Sequence, residues 1–239
     1  GLSGERPTHP ELLDHLATRF MREGWSIKKL IRTIVLSRTY QMASRSGDAP
    51  WLSHHLRRRL DAETIRDTML AATGDLNPQP ASGSLIQHRD VLVNELPSLH
   101  QPSTQRSIYL LMLRNSMPPE LTPFNLPDAT TVLDKRDSVA LATQSLYLLN
   151  NAFIIEQSRR FAARLLQTGI EPEKRIAKAY RDALGRDATA AELQRGLDFI
   201  READAMLVSS QTDHPRRELD TWAAFCQALL ASNELRYVD

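Results

Sequence analysis

The sequence predicts a mainly α-helical fold: a multi-helix bundle with long proline-rich loops and at most a small two-stranded β ribbon. Only 9 of the 239 residues are glycine, whereas Ala, Leu, Arg and Glu, which lose little entropy in a helix, are abundant. Apolar residues recur every three to four positions in most segments, with hydroxyl, Asp or Asn residues before these segments and glycines after them. These start and stop signals indicate helices rather than strands.

The first 40 residues predict a helical hairpin. Thr8 and Glu11 have the spacing of a capping box around Pro10, which is tolerated in a first helical turn. An apolar stripe follows, and Gly24 offers the left-handed exit of the helix. Ser26 then caps a second helix. The predicted inner face of this second helix consists of Ile27, Leu30, Ile31, Ile34 and Val35.

Such a hairpin is also compatible with a helix-turn-helix that binds nucleic acid, with Lys28, Lys29 and Arg32 on phosphates. No series of side chains suited to base readout accompanies these cations, so we favour packing over DNA binding. Two adjacent histidines follow at positions 54 and 55. Neighbours in sequence diverge by about 100° on a helix, so these imidazoles do not predict a metal site.

A third helix is predicted after Asp61, its N-cap residue, with Glu63 in the first turn and a glycine at its end. The run Arg57, Arg58 and Arg59 precedes it. Guanidinium groups suit docking on an acid or a neighbouring domain, and a solvated charge cluster is the alternative explanation of this run.

Residues 77–137 predict a loop-rich insertion, because prolines and polar residues interrupt every helical pattern there. Residues 91–93 and 107–113 have β-branched and aliphatic character, which predicts a small two-stranded ribbon. Long ordered loops are often functional, so this region is where we expect a partner surface. Arg114 and Asn115, which follow the second predicted strand, suit either a carboxylate or sugar ligand or the carbonyls of the loop itself.

Residues 138–239 predict a helical bundle. Asn151 caps one helix, Pro172 opens another, and Thr189 with Glu192 forms a second capping box. A last helix is predicted from about residue 216. The lone cysteine, Cys226, lies on its apolar stripe and is expected to be buried and unreactive. With residues 1–76 as a helical N-terminal part, we expect one domain over 1–239.

The sequence lacks the local signatures of common enzymes, namely GxSxG, HExxH, GxxxxGKS/T and GxGxxG. A single cysteine excludes an internal disulfide and CxxC zinc clusters, and we expect no metal and no cofactor. The longest apolar run, about six residues, is too short for a transmembrane helix. The net charge is +1, but residues 1–60 hold 11 basic and 5 acidic side chains, which permits an anionic partner there.

Ordered blocks along the chain match one family. They include PTHPELLD at 7–14, RRLDAETIRD at 58–67, RSIY at 106–109, LLN at 148–150 and YV at 237–238. Over essentially its whole length the chain resembles the planctomycete-type domain of unknown function, the DUF1553 family. The family has no established catalytic residue to carry over.

The resemblance implies a C-terminal module of a large exported envelope protein, with a cytochrome-c-like domain and another uncharacterised domain upstream. It therefore implies an extracytoplasmic location, with other domains of the parent protein, envelope proteins or polymers as partners. It also implies a further helix-forming stretch before Gly1, so we expect the chain to be a fragment with an apolar patch where that stretch packs.

The preferred functional hypothesis is an accessory module that docks on other domains through its proline-rich loops and through Arg57, Arg58 and Arg59. The alternative is part of an enzyme that acts with a redox domain on an extracellular polymer, and nucleic-acid binding is the third hypothesis. The candidate site groups of such an enzyme are Asp61, Glu63, Arg66, Asp67, Arg114 and Asn115. The enzyme hypothesis requires these groups to line one pocket, whereas the accessory-module hypothesis predicts that they are scattered.

Overall fold

The computed structural model describes residues 6–44, 53–54, 57–80, 100–114, 116–133, 136, 139–208 and 213–238. Contacts between Cα atoms divide the chain into two compact units, residues 1–58 with 237–239, and residues 59–236. We call them the small unit and the large unit, and each is described by itself.

The small unit contains the predicted helical hairpin, formed by α1 (Pro10–Arg22) and α2 (Ile27–Val35). The Ser26 side chain caps α2 by accepting a hydrogen bond from the Lys29 amide at 3.4 Å, as predicted. The prediction of a capping box at the start of α1 is wrong, because His9 is the N-cap residue and no side chain caps the helix. The Thr8 hydroxyl instead lies 2.8 Å from His9 Nδ1.

The predicted inner face of α2 is not buried. Ile27 is 66% exposed and Ile31 is 53% exposed, and neither α1 nor α2 contains a fully buried residue. The prediction of a buried stripe is therefore wrong for the described residues. Two helices of 13 and 9 residues bring too few neighbouring side chains to cover a stripe of this width.

A two-stranded antiparallel sheet is present, but not where the sequence predicts it. Strand β1 (Arg58–Arg59) pairs with β2 (Tyr237–Val238). Of the predicted ribbon, residues 91–93 lie outside the described residues. The strand predicted at residues 107–113 is wrong, because Ser107–Tyr109 form a 3-10 helix in which the Leu110 amide returns to the Ser107 carbonyl at 3.2 Å.

The large unit is a helical bundle, which confirms the predicted fold class. Its helices are α3 (Ala62–Thr73), α4 (Ala142–Asn150), α5 (Ala152–Gln167), α6 (Pro172–Leu184), α7 (Ala190–Val208), α8 (His214–Leu230) and the short α9 (Asn233–Arg236). The caps follow the sequence: Asn151 accepts from the Phe153 amide at 2.8 Å, and Glu192 and Thr189 bond reciprocally. Asp61 is the N-cap residue of α3, as predicted, but its side chain makes no capping bond.

The core of the large unit lies between α5 and α8, which make the most extensive contact in it. Phe161 and Leu165 of α5 and Cys226 and Leu230 of α8 are fully buried there. The proline-rich segment adds Leu121 and other side chains to the same core. Among the described helices, none combines the length and apolar character needed to cross a bilayer.

Candidate functional site

Arg66 is a buried cation on α3 that holds the polypeptide segment 103–107. Its side chain is only 2% exposed. The guanidinium donates to the Gln105 carbonyl at 2.9 Å, to the Ser107 hydroxyl at 3.2 Å and to the Ser103 carbonyl. The guanidinium holds its donors in a fixed plane, which matches several oxygens around the edge of that plane at once. Its Nε is shut off from solvent and has no hydrogen-bond partner among the described residues.

Asp67, the next residue of α3, holds the same segment through its carboxylate. Asp67 Oδ1 accepts hydrogen bonds from the Ser107 amide at 2.8 Å and from the Ser107 hydroxyl at 2.7 Å. Oδ2 lies 3.5 Å from Nε of Arg106. Bonds to an ionised acceptor are stronger than neutral ones. The pair Arg66 and Asp67 therefore fixes a loop that has little regular structure of its own.

This fixed loop forms one wall of a cleft in the large unit with a volume of about 480 Å³. The second wall comes from Pro119 and Glu120, and the floor from residues of α4 and α5. The lining side chains used below are Pro102, Pro119, Glu120, Tyr147, Phe153, Glu156 and Arg160. Clefts of this size, with apolar walls and a few polar groups, are typical of binding sites.

Two of the polar residues that line the cleft are Glu120 and Tyr147. The Tyr147 hydroxyl is shut off from solvent and finds no hydrogen-bond partner among the described residues. Burial raises the pKa of Tyr147, and the Glu120 carboxylate raises that pKa further, whereas the Arg66 cation opposes the shift. Burial also lowers the pKa of Arg66, against the charges of Glu120 and Asp67. Tyr147 is therefore a neutral hydrogen-bond donor.

Glu120 carries the charge of the cleft that has no directly bonded counter-ion, although its charge acts on the nearby Arg66 cation. It is half-buried, and within the described part of the chain it forms no ion pair and no hydrogen bond. The other charges of the lining are balanced, because Arg160 lies 2.7 Å from Glu156 and 3.1 Å from Asp75. The hydrogen bonds that Arg160 donates to Glu156 and Asp75 raise the pKa of Arg160. The cleft thus has a negative character.

The other candidate site groups do not meet at this cleft. Asp61 is exposed, and Glu63 forms an ion pair with Arg136 at 2.8 Å. Arg114 is exposed, and Asn115 lies outside the described residues. Of the candidate groups, only Arg66 and Asp67 converge, and they converge on Ser107 rather than on the cleft interior. Their catalytic role stays a prediction.

The arginine run at residues 57–59 is divided among three environments. Arg59 is buried and donates to the Val139 carbonyl at 2.7 Å and to Gln144 Oε1 at 2.5 Å. Arg57 lies over the Tyr237 ring, 5.0 Å from its centroid. Arg58 is exposed. Docking through these arginines stays a prediction, and the exposed side chains are those of Arg57 and Arg58.

Glu120, Tyr147 and Phe153 line the cleft but are not among the site residues that the sequence predicts. Glu120 follows two prolines, at positions 118 and 119, in the loop region where a partner surface is expected. Tyr147 lies in an apolar helix, where a tyrosine is typical of an ordinary core residue. No local sequence pattern therefore identifies it as a site residue. Within the described ranges, no group of three or more His, Cys, Asp or Glu residues is arranged to hold a metal ion.

Comparison with known proteins identifies the family of the chain. No curated protein and no solved structure matches the chain. A family model described as "Protein of unknown function (DUF1553)" matches residues 1–200, which is most of the chain. The ordered sequence blocks and this match agree, and the chain belongs to the DUF1553 family.

Proposed function

We propose that the chain is an accessory interaction module of a multidomain protein, in which the cleft beside Glu120 and Tyr147 docks a segment of another domain. The family resemblance implies a parent protein of the cell envelope, with a cytochrome-c-like domain as one neighbour. Membership of the DUF1553 family is consistent with this role and assigns no reaction.

The observation that carries the proposal is the use of Arg66 and Asp67 to order a loop. Both side chains make their hydrogen bonds to residues 103–107. The guanidinium and the carboxylate are therefore engaged by the loop and are not available to a substrate. A loop held in one conformation loses little entropy when a partner binds. This arrangement supports docking better than the alternative, an enzyme part acting with a redox domain on an extracellular polymer.

The chemistry of the cleft favours an extended peptide segment with a basic side chain. Pro102, Pro119 and Phe153 offer apolar contact area, and the unpaired Glu120 carboxylate is complementary to a Lys or Arg side chain. The Tyr147 hydroxyl is shut off from solvent and is not part of the contact with the bound backbone. A segment that combines a basic side chain with apolar neighbours is therefore complementary to the cleft.

The test is a titration of the full chain with labelled pentapeptides that differ only at the central residue, Lys, norleucine or Glu. We expect the Lys peptide to bind tightest. Replacing Glu120 by Gln keeps the shape of the side chain and removes its charge, and should weaken binding of the Lys peptide about fivefold, the value of one partly exposed ion pair. Fluorescence anisotropy measures each dissociation constant.

Glu173→Gln is the matched control, because Glu173 is an exposed acid in the first turn of α6 and does not line the cleft. It should leave the affinity for the Lys peptide unchanged. Equal affinities for the Lys and Glu peptides, or equal losses in the E120Q and E173Q variants, would contradict docking at this cleft.

A further inference from the structure

The second helix of the small unit presents an apolar face to solvent. Ile27 and Ile31 are four positions apart, so they lie on the same side of α2, and both are more than half exposed. Trp25, which precedes α2, is 66% exposed. We call Trp25, Ile27 and Ile31 the hairpin patch. Large apolar side chains that cluster at a surface mark a site of interaction with a protein or a membrane.

The end of α1 holds Trp25 in place. The Trp25 amide donates to the Phe20 carbonyl at 2.9 Å, and the Gly24 amide donates to the Met21 carbonyl at 3.1 Å. These two bonds are those of a Schellman motif. The Trp25 ring packs edge-on against the Phe20 ring, with 5.3 Å between the ring centroids. The helix end thus fixes an indole ring at the surface.

The position of Trp25 is costly for a tryptophan. Its φ is +58°, in the left-handed region that favours glycine, and a residue with a Cβ is strained there. A side chain that is two-thirds exposed gains little burial in return. An indole at a membrane–water interface does gain burial, because its ring enters the apolar boundary while its N–H stays hydrated.

Two cations border the hairpin patch. Lys28 and Arg32 each follow one of the isoleucines, so they lie about 100° around the helix from them. Both are exposed, and within the described part of the chain neither forms an ion pair. Residues 24–44 contain four cations and no acid. Uncompensated positive charge beside an apolar face is complementary to a surface that is anionic outside and apolar inside.

We propose that the hairpin patch and its two cations dock on an anionic phospholipid surface. The patch enters the boundary between head groups and acyl chains, and Lys28 and Arg32 lie on lipid phosphates. A nucleic acid would attract the cations but leave the isoleucines in water. A second copy or another apolar helix would cover the isoleucines without using the cations. This docking does not rest on the proposed function, because the cleft belongs to the large unit.

Sedimentation of the full chain with vesicles of phosphatidylcholine alone, or of an equal mixture with phosphatidylglycerol, tests the proposal. We expect binding to the mixed vesicles to be at least about tenfold tighter. The double variant Lys28→Gln with Arg32→Gln should lose about tenfold or more of this binding, because it removes two charges near the lipid phosphates. Ile27→Ser with Ile31→Ser should lose about tenfold, because it removes the apolar contact.

Two double variants in the large unit are the matched controls. Leu146→Ser with Leu149→Ser removes two leucines of α4 that are as exposed as the isoleucines of the patch. Lys174→Gln with Arg195→Gln removes two exposed cations of α6 and α7. Both controls should bind the mixed vesicles as the wild type does, and circular dichroism checks that every variant is folded.

Four results would each overturn the proposal. They are equal binding to the two kinds of vesicle, equal losses in the patch variants and their controls, and unchanged vesicle binding by the I27S/I31S variant, which would show that the cations attract any polyanion, including a nucleic acid. The fourth is a vesicle-free dimer, seen by sedimentation velocity, that the I27S/I31S variant dissociates. That result would assign the patch to a second copy of the chain.

Discussion

Asp67 and Ser107 are joined by two hydrogen bonds to the same carboxylate oxygen, 2.8 Å from the Ser107 amide and 2.7 Å from its hydroxyl. The two residues are 40 positions apart in sequence. Asp67 is on a regular helix, whereas Ser107 begins a 3-10 turn in the proline-rich segment. The Asp67 carboxylate thus accepts the hydrogen bond from the Ser107 amide that a carbonyl of a neighbouring strand would accept in a sheet.

Removing the Asp67 carboxylate should destabilise the large unit and loosen this loop. We expect Asp67→Ala to lower the free energy of unfolding by about 2 to 3 kcal/mol, because it leaves two donors of buried Ser107, its amide and its hydroxyl, without their acceptor. Asp67→Asn, which keeps one acceptor oxygen, should cost about 1 kcal/mol. Urea unfolding followed by circular dichroism measures both values.

Glu202→Ala, which removes an exposed acid of α7, is the control and should change the free energy of unfolding by less than about 0.5 kcal/mol. The Asp67→Ala and Ser107→Ala changes should also be non-additive, since both remove the bond from the Ser107 hydroxyl to the Asp67 carboxylate. Additive losses would mean that this hydroxyl bond carries no energy.

The Arg186 guanidinium makes stability depend on pH through Glu192. It binds Glu192 through two parallel hydrogen bonds of 2.8 and 2.9 Å. These bonds, together with the Thr189 amide, lower the pKa of Glu192 to about 2. An unfolded Glu has a pKa of about 4.3. The contribution of this ion pair is therefore complete above about pH 4.5 and is lost as the pH falls towards 2.

We expect the wild type to lose about 1 kcal/mol more stability than Glu192→Gln between pH 6 and pH 3, a modest value because solvent screens this surface group. Urea midpoints at the two pH values measure the difference. Other carboxylates titrate in the same range, so the comparison with the variant isolates Glu192. Parallel losses in wild type and E192Q would show that the pair with Arg186 does not couple stability to pH.

Most of the helical architecture follows from local signals. Asn151, Thr189 and Ser26 cap the helices that the sequence assigns to them, because a cap depends on only three or four consecutive residues. The strand predicted at residues 107–113 fails for the opposite reason. The aliphatic pattern of these residues is typical of a strand, but the Ser107 amide donates its hydrogen bond to Asp67 instead of to a strand. Because Asp67 is distant in sequence, the local pattern cannot reveal this partner.

The candidate site was predictable only in part, for the same physical reason. Arg66 and Asp67 were identified as important polar residues, yet the sequence could not tell whether they face a ligand or a loop. Tyr147 owes its raised pKa to burial and to Glu120, both of which depend on tertiary packing. A tyrosine in an apolar helix has the same local pattern whether its hydroxyl is satisfied or not.

Cys226 should be unreactive in the folded protein, as the sequence suggests. It is fully buried, and burial raises the pKa of its thiol, so little thiolate is present to attack a reagent. We expect Ellman's reagent to react at least about a hundredfold more slowly with the native chain than with the chain in guanidinium chloride. A Glu202→Cys variant supplies an exposed thiol as control, and equal rates for Cys226 in the two states would place it at the surface.

Gly74 and Gly169 provide a test of how Arg164 ties α3 to α5. Both glycines have positive φ, +80° and +64°, so an alanine at either position is strained by about 1 kcal/mol. A Cβ at Gly169 would meet nothing within 4 Å, whereas at Gly74 it would lie 3.0 Å from Arg164 Nη1. That nitrogen donates to the Ala72 carbonyl at 2.8 Å, so Gly74→Ala must displace Arg164 and weaken this bond.

We therefore expect Gly74→Ala to destabilise the protein by about 1 kcal/mol more than Gly169→Ala, the value of one hydrogen bond. In an Arg164→Ala background the side chain is absent, so the excess cost of the Gly74→Ala change should disappear. Urea unfolding of the four variants gives the comparison. Equal costs for the two glycines in the wild-type background would mean that Arg164 moves aside freely, and its bond to Ala72 would then contribute little to the packing of α3 on α5.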